Sequence, residues 1–209
     1  MNVVLLPLHR ELCAGSRAAA WTRPEDRLRW AELGILMGAG VAAAIAVGAL
    51  DLHLRLPGHA ILRAVFPMAL GLSLVPRRGG GVVMGASAAT TVFWLQFAGR
   101  GIPGVGALTS LCLIGPMLDG ALWRARAGWP VYLSFAVAGG LTNLAAFAVR
   151  GGKKLTAWEA LTTRPLSEWV STAAWSYLLC GLLAGLLSAA IWFRWQADRA
   201  DQRSEGSAS

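Results

Sequence analysis

The stretch ELGILMGAGVAAAIAVGAL at residues 32–50 decides the fold, because its single charged residue, Glu32, stands at its first position. A helix needs about 20 consecutive apolar residues to cross the hydrocarbon core of a bilayer. Five further apolar stretches follow, at residues 60–76, 80–98, 102–123, 129–149 and 172–193. The sequence therefore predicts an all-α integral membrane protein, a compact bundle of about six transmembrane helices. The second stretch, which contains Pro67, is the shortest.

The composition favours the same class of protein. Of the 209 residues, 56% are hydrophobic and only 14% are charged, whereas soluble domains have about 25% charged residues. Despite a net charge of +8, lysine and arginine lie almost wholly between the apolar stretches, so we expect no nucleic-acid partner. The three cysteines, Cys13, Cys112 and Cys180, form neither a disulfide framework nor a CxxC metal motif.

The loops between the apolar stretches predict the orientation of the chain. Cytoplasmic loops of membrane proteins carry an excess of lysine and arginine. Twelve of these residues fall on one side and six on the other: Arg10, Arg17, Arg23, Arg27, Arg29, Arg77, Arg78, Arg124, Arg126, Arg194, Arg199 and Arg203 against Arg55, Arg100, Arg150, Lys153, Lys154 and Arg164. Both termini are therefore predicted to be cytoplasmic.

This orientation divides the chain into three parts. Residues 1–31 are a cytoplasmic basic leader, 32–194 the six-helix transmembrane domain, and 195–209 a cytoplasmic polar tail that we expect to be frayed. The leader either lies on an anionic membrane surface or is a disordered basic tail. The longest external loop, at about 150–171, carries leucine and tryptophan at near-helical spacing and is either a lid over a cavity or a simple interfacial anchor.

Small residues recur every four positions along the first span. Gly38, Ala42 and Ala46 continue a row that begins at Gly34, and a second row that starts at Gly40 lies about 200° away around the helix. Such rows allow close approach of backbones, which drives helix association in lipid. One row could contact the rest of the bundle and the other a partner protein. Ordinary packing of an alanine-rich helix is the alternative. Similar rows in the third and sixth spans predict close packing: Gly81, Gly85 and Ala89, and Gly181, Gly185 and Ala189.

Most polar residues of the spans gather at their predicted outer ends. A charged residue at the bilayer centre costs about 2.5–3.5 kcal/mol on insertion scales, so such residues are functional candidates. The candidates for binding a solute are His59, Arg63, Gln96, Arg100 and Asn143. Asp119 lies instead towards an inner end, where the sequence predicts a structural ion pair with Arg124.

Two histidines and an aspartate lie within nine residues of this outer region. Asp51, His53 and His59 could bind nickel, cobalt or zinc, since imidazole and carboxylate are suitable ligands for these metals. Such a metal would be cargo, and we expect no intrinsic cofactor. The alternative is that these side chains bond to carbonyls and lipid headgroups. The sequence has no HExxH, GxSxG or P-loop motif, so we expect no enzymatic activity.

The order of features from His59 onward resembles a known family. His59-Ala-Ile-Leu precedes a small apolar helix that closes on Val75-Pro76, and three further elements follow in order: Leu95-Gln-Phe-Ala-Gly99, the glycine-rich turn 101–106, and Leu113-Ile-Gly-Pro-Met117. This arrangement resembles the substrate-capture (S) subunits of energy-coupling-factor (ECF) transporters, nearest the cobalt/nickel branch. The resemblance covers about a third of the chain. That branch begins with a metal-ligating Met-His, whereas this chain begins with Met1-Asn2, which leaves an organic solute or an altered metal site open.

The resemblance implies a solute-binding subunit of an importer in the bacterial inner membrane. In that family the first core helix docks a coupling transmembrane subunit, to which paired ATPases attach, and Gly38, Ala42 and Ala46 resemble the docking row. The cargo would be a metal ion or a vitamin-like molecule. A membrane assembly or scaffold protein without transport activity is the main alternative. A lipid-modifying enzyme with Asp51 and His59 as acid–base partners is another.

The charge asymmetry predicts that Arg126 and Lys153 lie on opposite sides of the membrane. A reporter that is active only outside the cytoplasm, fused after each residue in turn, should be active after Lys153 and silent after Arg126. A reporter that fluoresces only inside should give the reverse pattern and serves as the control. The same side for both fusion points would contradict this topology.

Overall fold

Six α-helices make up most of what the computed structural model describes, which is residues 30–49, 58–99, 104–124, 129–156 and 166–206. They are α1 (Trp30–Ala49), α2 (Ala60–Leu74), α3 (Gly80–Phe97), α4 (Val105–Arg124), α5 (Trp129–Thr156) and α6 (Leu166–Gly206). Residues 75–79 form a short turn between α2 and α3, and the described segments contain no strand. The predicted all-α class is confirmed.

Four of these helices, α1, α4, α5 and α6, contain segments that are long and apolar enough to cross a membrane. They also carry large apolar side chains on their exposed faces, such as Leu133 and Leu141 on α5 and Leu179 and Leu183 on α6. Lipid would cover such faces, so the four helices indicate a membrane protein. Helices α2 and α3 have 15 and 18 residues, and their crossing of the membrane stays a prediction.

The short helix α2 lies at the centre of the bundle and packs against all five other helices. Around it, α1, α3, α4, α5 and α6 follow one another as neighbours. Ile61, Val65, Met68 and Leu72 of α2 have no exposed surface. A helix enclosed by protein can be apolar on all sides, which explains why this stretch reads as a continuous hydrophobic run.

Two pairs of helices approach each other backbone to backbone. A β-carbon on Gly115 of α4 would overlap the carbonyl oxygen of Gly81 of α3, and one on Gly81 would overlap that of Gly115. Gly139 of α5 and Gly181 of α6 have the same reciprocal relation. The small-residue rows of the third and sixth spans therefore mark tight packing, as the sequence predicts.

The fifth and sixth helices are longer than the sequence predicts. Helix α5 continues to Thr156 and α6 begins at Leu166, so both ends of the segment predicted as the external loop, about 150–171, are helical. Most of the proposed lid, residues 157–165, lies outside the described residues. Helix α6 also continues through 195–206, where a frayed tail is predicted. The backbone groups of a helix form hydrogen bonds with one another, so a helix does not have to end where the hydrocarbon ends. Helix α5 has 28 residues, a length of about 42 Å, and can therefore extend past the hydrocarbon into polar sequence.

Gly115 should be sensitive to a single added methyl group. We predict that Gly115→Ala lowers the free energy of unfolding in detergent by about 1–3 kcal/mol, because the new β-carbon must push α3 and α4 apart. Thermal unfolding monitored by tryptophan fluorescence measures the change.

The matched control lies on the same helix. A β-carbon on Gly120 has no atom within 4 Å, so Gly120→Ala should leave stability unchanged or raise it by up to about 1 kcal/mol through helix propensity. Equal midpoints for the two variants would contradict the close contact of α3 and α4.

Candidate functional site

The amide of Asn143 connects three helices and a turn at one end of the bundle, which we call the outer end. Asn143 is 1% exposed. Its Nδ2 donates to the carbonyl oxygens of Gly58, at 3.1 Å, and of Tyr177, at 2.7 Å. Its Oδ1 accepts from the hydroxyl of Ser110 at 3.5 Å. Both amide hydrogens of Asn143 thus have protein acceptors.

Gly58 brings the start of α2 against this amide. Its φ is +86°, and a β-carbon there would lie 2.9 Å from Nδ2 of Asn143 and 3.0 Å from the Tyr177 ring. Only glycine suits both the left-handed backbone and the narrow space. His59 follows directly, so this turn sets the position of the imidazole.

His59 and Arg63 lie one helical turn apart, and both are half-buried. Nη2 of Arg63 is 3.3 Å from Nε2 of His59, and Nη1 donates to the carbonyl oxygen of Val47 on α1 at 3.3 Å. A guanidinium has no acceptor, so Nε2 of His59 must accept with its lone pair. That is the lone pair a metal would need.

Helices α5 and α6 add an arginine and a tyrosine to the outer end. Arg150 is exposed, and its Nη1 donates to the hydroxyl of Tyr177 at 3.0 Å. The Tyr177 ring lies 5.5 Å, centroid to centroid, from the ring of Phe147. Sequence reasoning missed both Tyr177 and Ser110. The available signal was that both tyrosines of the chain lie within apolar spans, where a buried phenol needs a partner.

Not every predicted site residue joins this group. Gln96 is exposed at the end of α3, beside the exposed aromatic side chains of Phe93, Trp94 and Phe97. Helix α3 packs against α1, α4 and α2, whereas Asn143 belongs to α5. Gln96 therefore lies on an exposed face of α3, a helix that carries none of the other predicted site residues. Arg100 lies outside the described residues.

The predicted metal site cannot be assembled from the described residues alone. Asp51 and His53 lie outside them. Within the described segments, no group of three or more histidine, cysteine, aspartate or glutamate side chains could hold a metal ion. A metal bound through all three predicted ligands stays a prediction.

The two small-residue rows of α1 have different surroundings. A β-carbon on Gly40 would overlap the Met84 carbonyl and the Ser87 hydroxyl of α3, so this row faces the bundle. On the other row, a β-carbon on Gly38 has no atom within 4 Å, Ala42 is exposed and Ala46 is half-buried. The predicted docking row therefore faces away from the bundle.

The opposite end, which we call the inner end, holds two carboxylates with defined partners. Asp119 of α4 accepts from the backbone N–H groups of Gly81, at 2.9 Å, and Val82, at 3.0 Å. It thus caps the first turn of α3, whose N–H groups lack helical acceptors and carry the positive end of the helix dipole. The predicted ion pair with Arg124 is wrong, since these two described residues form no ion pair and the carboxylate accepts from the backbone of α3 instead.

Glu32 is the second carboxylate of the inner end. It pairs with Arg77 through two contacts of 3.0 Å each, which tie the first turn of α1 to the α2–α3 turn. The neighbouring Arg78 lies over the Trp123 ring, 5.6 Å from its centroid. The two arginines of this tight turn therefore contact two different helices.

Comparison of the chain with protein-family models, with curated proteins and with solved structures found no match. The features of this chain that bear on its function are the two ends of the bundle and the exposed row of α1. The outer end joins α2, α4, α5 and α6, and the inner end fixes α1 and α3.

Asn143 should contribute measurably to stability. We predict that Asn143→Leu, which keeps the volume and removes the hydrogen bonds, lowers the free energy of unfolding by about 1–2 kcal/mol. Thr109→Ala is the control, because the exposed Thr109 hydroxyl bonds only to its own helix, at Val105. Equal stability of the two variants would mean that the Asn143 amide does not hold the bundle together.

Proposed function

We propose that this chain is the membrane-embedded, solute-binding subunit of an ECF-type importer in the inner membrane of a bacterium. It would cross the membrane six times with both termini in the cytoplasm. A coupling transmembrane subunit and paired ATPases would supply the energy, since the sequence has no nucleotide-binding motif of its own. The order of sequence features from His59 onward supports this proposal.

The observation that carries the proposal is the exposed row of α1. Gly34 and Gly38 have open space where a β-carbon would be, and the large side chains of Ile35 and Met37 flank them. Lipid does not require small residues, whereas a partner helix at close range does. Helix α1 is also the least enclosed of the four long apolar helices. A coupling subunit seated along Gly38, Ala42 and Ala46 fits this surface.

The inner end supports the same function. The pairing of Glu32 with Arg77 fixes the start of α1 against the α2–α3 turn. The exposed small-residue row therefore lies on a helix whose position is fixed at one end. The outer end supplies polar side chains near the predicted external surface, where a solute would be captured. Docking and capture would thus use different parts of the bundle.

A membrane assembly or scaffold protein is the second candidate, and one observation favours it. The Asn143 amide donates both hydrogen bonds to protein carbonyls, as a purely structural residue would. Native mass spectrometry of the purified chain separates the two functions. A co-purified small solute favours the importer subunit, and its absence together with a stable protein partner favours the scaffold.

The exposed row should be needed for assembly. We predict that Ala42→Leu abolishes recovery of the coupling subunit and the ATPases when the tagged chain is purified from membranes of its source organism. The added isobutyl group would block close approach of a partner helix. Mass spectrometry of the eluate measures recovery.

Ala86→Leu is the control, because Ala86 is an exposed alanine on α3, outside the row. It should leave recovery unchanged, and both variants should elute at the same volume on size exclusion. Full recovery with Ala42→Leu, or recovery of other proteins without an ATPase, would contradict the proposed function.

A further inference from the structure

An arginine and a tryptophan meet at the inner end of the bundle, beside the turn between α2 and α3. The guanidinium carbon of Arg78 lies 5.6 Å from the centroid of the Trp123 ring, at the end of α4. Both residues are exposed, and Trp123 has 65% of its surface accessible. A cation at this distance over an indole face is attracted by the quadrupole of the ring. The ring therefore holds the charge of Arg78 at a defined place on the surface.

The hydrogen-bond donors of Arg78 are not used within the described part of the chain. No described carboxylate pairs with Arg78, and no described oxygen accepts from it. Glu32 pairs with the neighbouring Arg77, and Asp119 accepts from the first N–H groups of α3. An exposed guanidinium held against a ring thus presents its donors at the surface.

The surface between this pair and the middle of the bundle is open and apolar. Helices α3 and α4 touch where Gly81 meets Gly115. Val82 follows Gly81 and is 53% exposed. Gly120 lies three residues before Trp123, on the same side of α4, and a β-carbon there has no atom within 4 Å. From the end of the bundle inwards, a cation, an indole ring and an apolar surface therefore follow one another.

We propose that Arg78 and Trp123 form a binding site for the headgroup of an anionic phospholipid. The guanidinium would bind the phosphate, because its planar donors match phosphate oxygens. The indole ring would lie at the boundary between headgroups and hydrocarbon, where tryptophan is enriched. An acyl chain would run along α3 and α4. The inner end is the predicted cytoplasmic side, where anionic lipids give the membrane surface a negative potential.

A lipid suits this site better than a soluble phosphate does. Water screens the charge of a single exposed arginine, so a free ion would bind weakly. A phospholipid has its phosphate confined to the depth of the arginine, which raises its effective concentration there. A zwitterionic phosphatidylcholine carries a phosphate too, but its choline group is a cation that Arg78 would repel.

The test is native mass spectrometry of the purified full-length chain in an uncharged detergent, titrated with dioleoylphosphatidylglycerol or with dioleoylphosphatidylcholine. The wild type should bind its first phosphatidylglycerol more tightly than its first phosphatidylcholine. Arg78→Gln should weaken the binding of that phosphatidylglycerol about fivefold, the value expected for one arginine at an anionic surface. Trp123→Leu, which keeps an apolar side chain but removes the ring, should weaken it about two- to fivefold.

Two control variants remove the same charge elsewhere. Arg124→Gln changes an exposed arginine beside Trp123, and Arg150→Gln changes an exposed arginine at the outer end. Each should weaken phosphatidylglycerol binding less than Arg78→Gln does. Equal affinity for the two lipids, or an unchanged affinity in Arg78→Gln, would overturn the inference. An equal loss in either control would overturn it too, since it would indicate a general attraction to basic residues.

Other occupants of this surface give different results. Sodium phosphate at constant ionic strength should leave the lipid bound, and displacement would identify a site for soluble phosphate instead. A protein that co-purifies with the wild type but not with Arg78→Gln, while lipid affinity is unchanged, would assign the surface to that protein. Either result contradicts a lipid site.

Folding and the proposed function are checked separately. Equal unfolding temperatures and elution volumes show that a variant folds, and if Arg78→Gln does not, Trp123→Leu decides alone. The exposed row of α1 is not part of this site, so Ala42→Leu should bind phosphatidylglycerol as the wild type does. Loss of lipid binding with intact partner recovery would therefore refute this inference alone.

Discussion

The contact of backbone with backbone at paired glycines is the constraint on which the rest of this bundle depends. In lipid the hydrophobic effect does not drive helices together, so close packing and hydrogen bonds must. Gly139 meets Gly181, and one turn further along α5 Asn143 reaches the carbonyl of Tyr177. Gly115 meets Gly81, and one turn further along α4 Asp119 reaches the first N–H groups of α3. In both pairs, the glycines bring a polar side chain within reach of the neighbouring backbone.

This arrangement explains why buried polar groups are tolerated at each end. A side chain that satisfies backbone groups of another helix costs little to bury, and it fixes the register of the two helices. Asn143 fixes α5 against α6 and the start of α2. Asp119 fixes α4 against α3. The exposed row of α1, in contrast, has open space beside Gly34 and Gly38.

The sequence predicts the positions of the helices well, but it predicts less well which side chains contact one another. Uncharged runs of about twenty residues identify α1, α4, α5 and α6, because periodicity and hydropathy are properties of single segments. Gly151, Gly152 and Lys153 look like a loop, yet α5 continues through them. The carboxylate of Asp119 accepts from the backbone N–H of Gly81, 38 residues away at the start of α3, whereas the sequence suggests the nearer Arg124 as its partner. Which side chains meet depends on how helices cross, and a single segment contains no information about that.

Helix α1 connects the two regions that the proposed function concerns. Its exposed face carries Gly38 and Ala42, and near its outer end the carbonyl of Val47 accepts from Arg63. A partner that shifts α1 would therefore move an acceptor of the guanidinium that also contacts His59. Coupling between two binding sites is reciprocal, so a solute that draws Arg63 away from Val47 would alter the position of α1 and its affinity for the proposed partner. The contact between Arg63 and Val47 thus offers a direct physical route by which the proposed capture at the outer end would influence the proposed docking on α1.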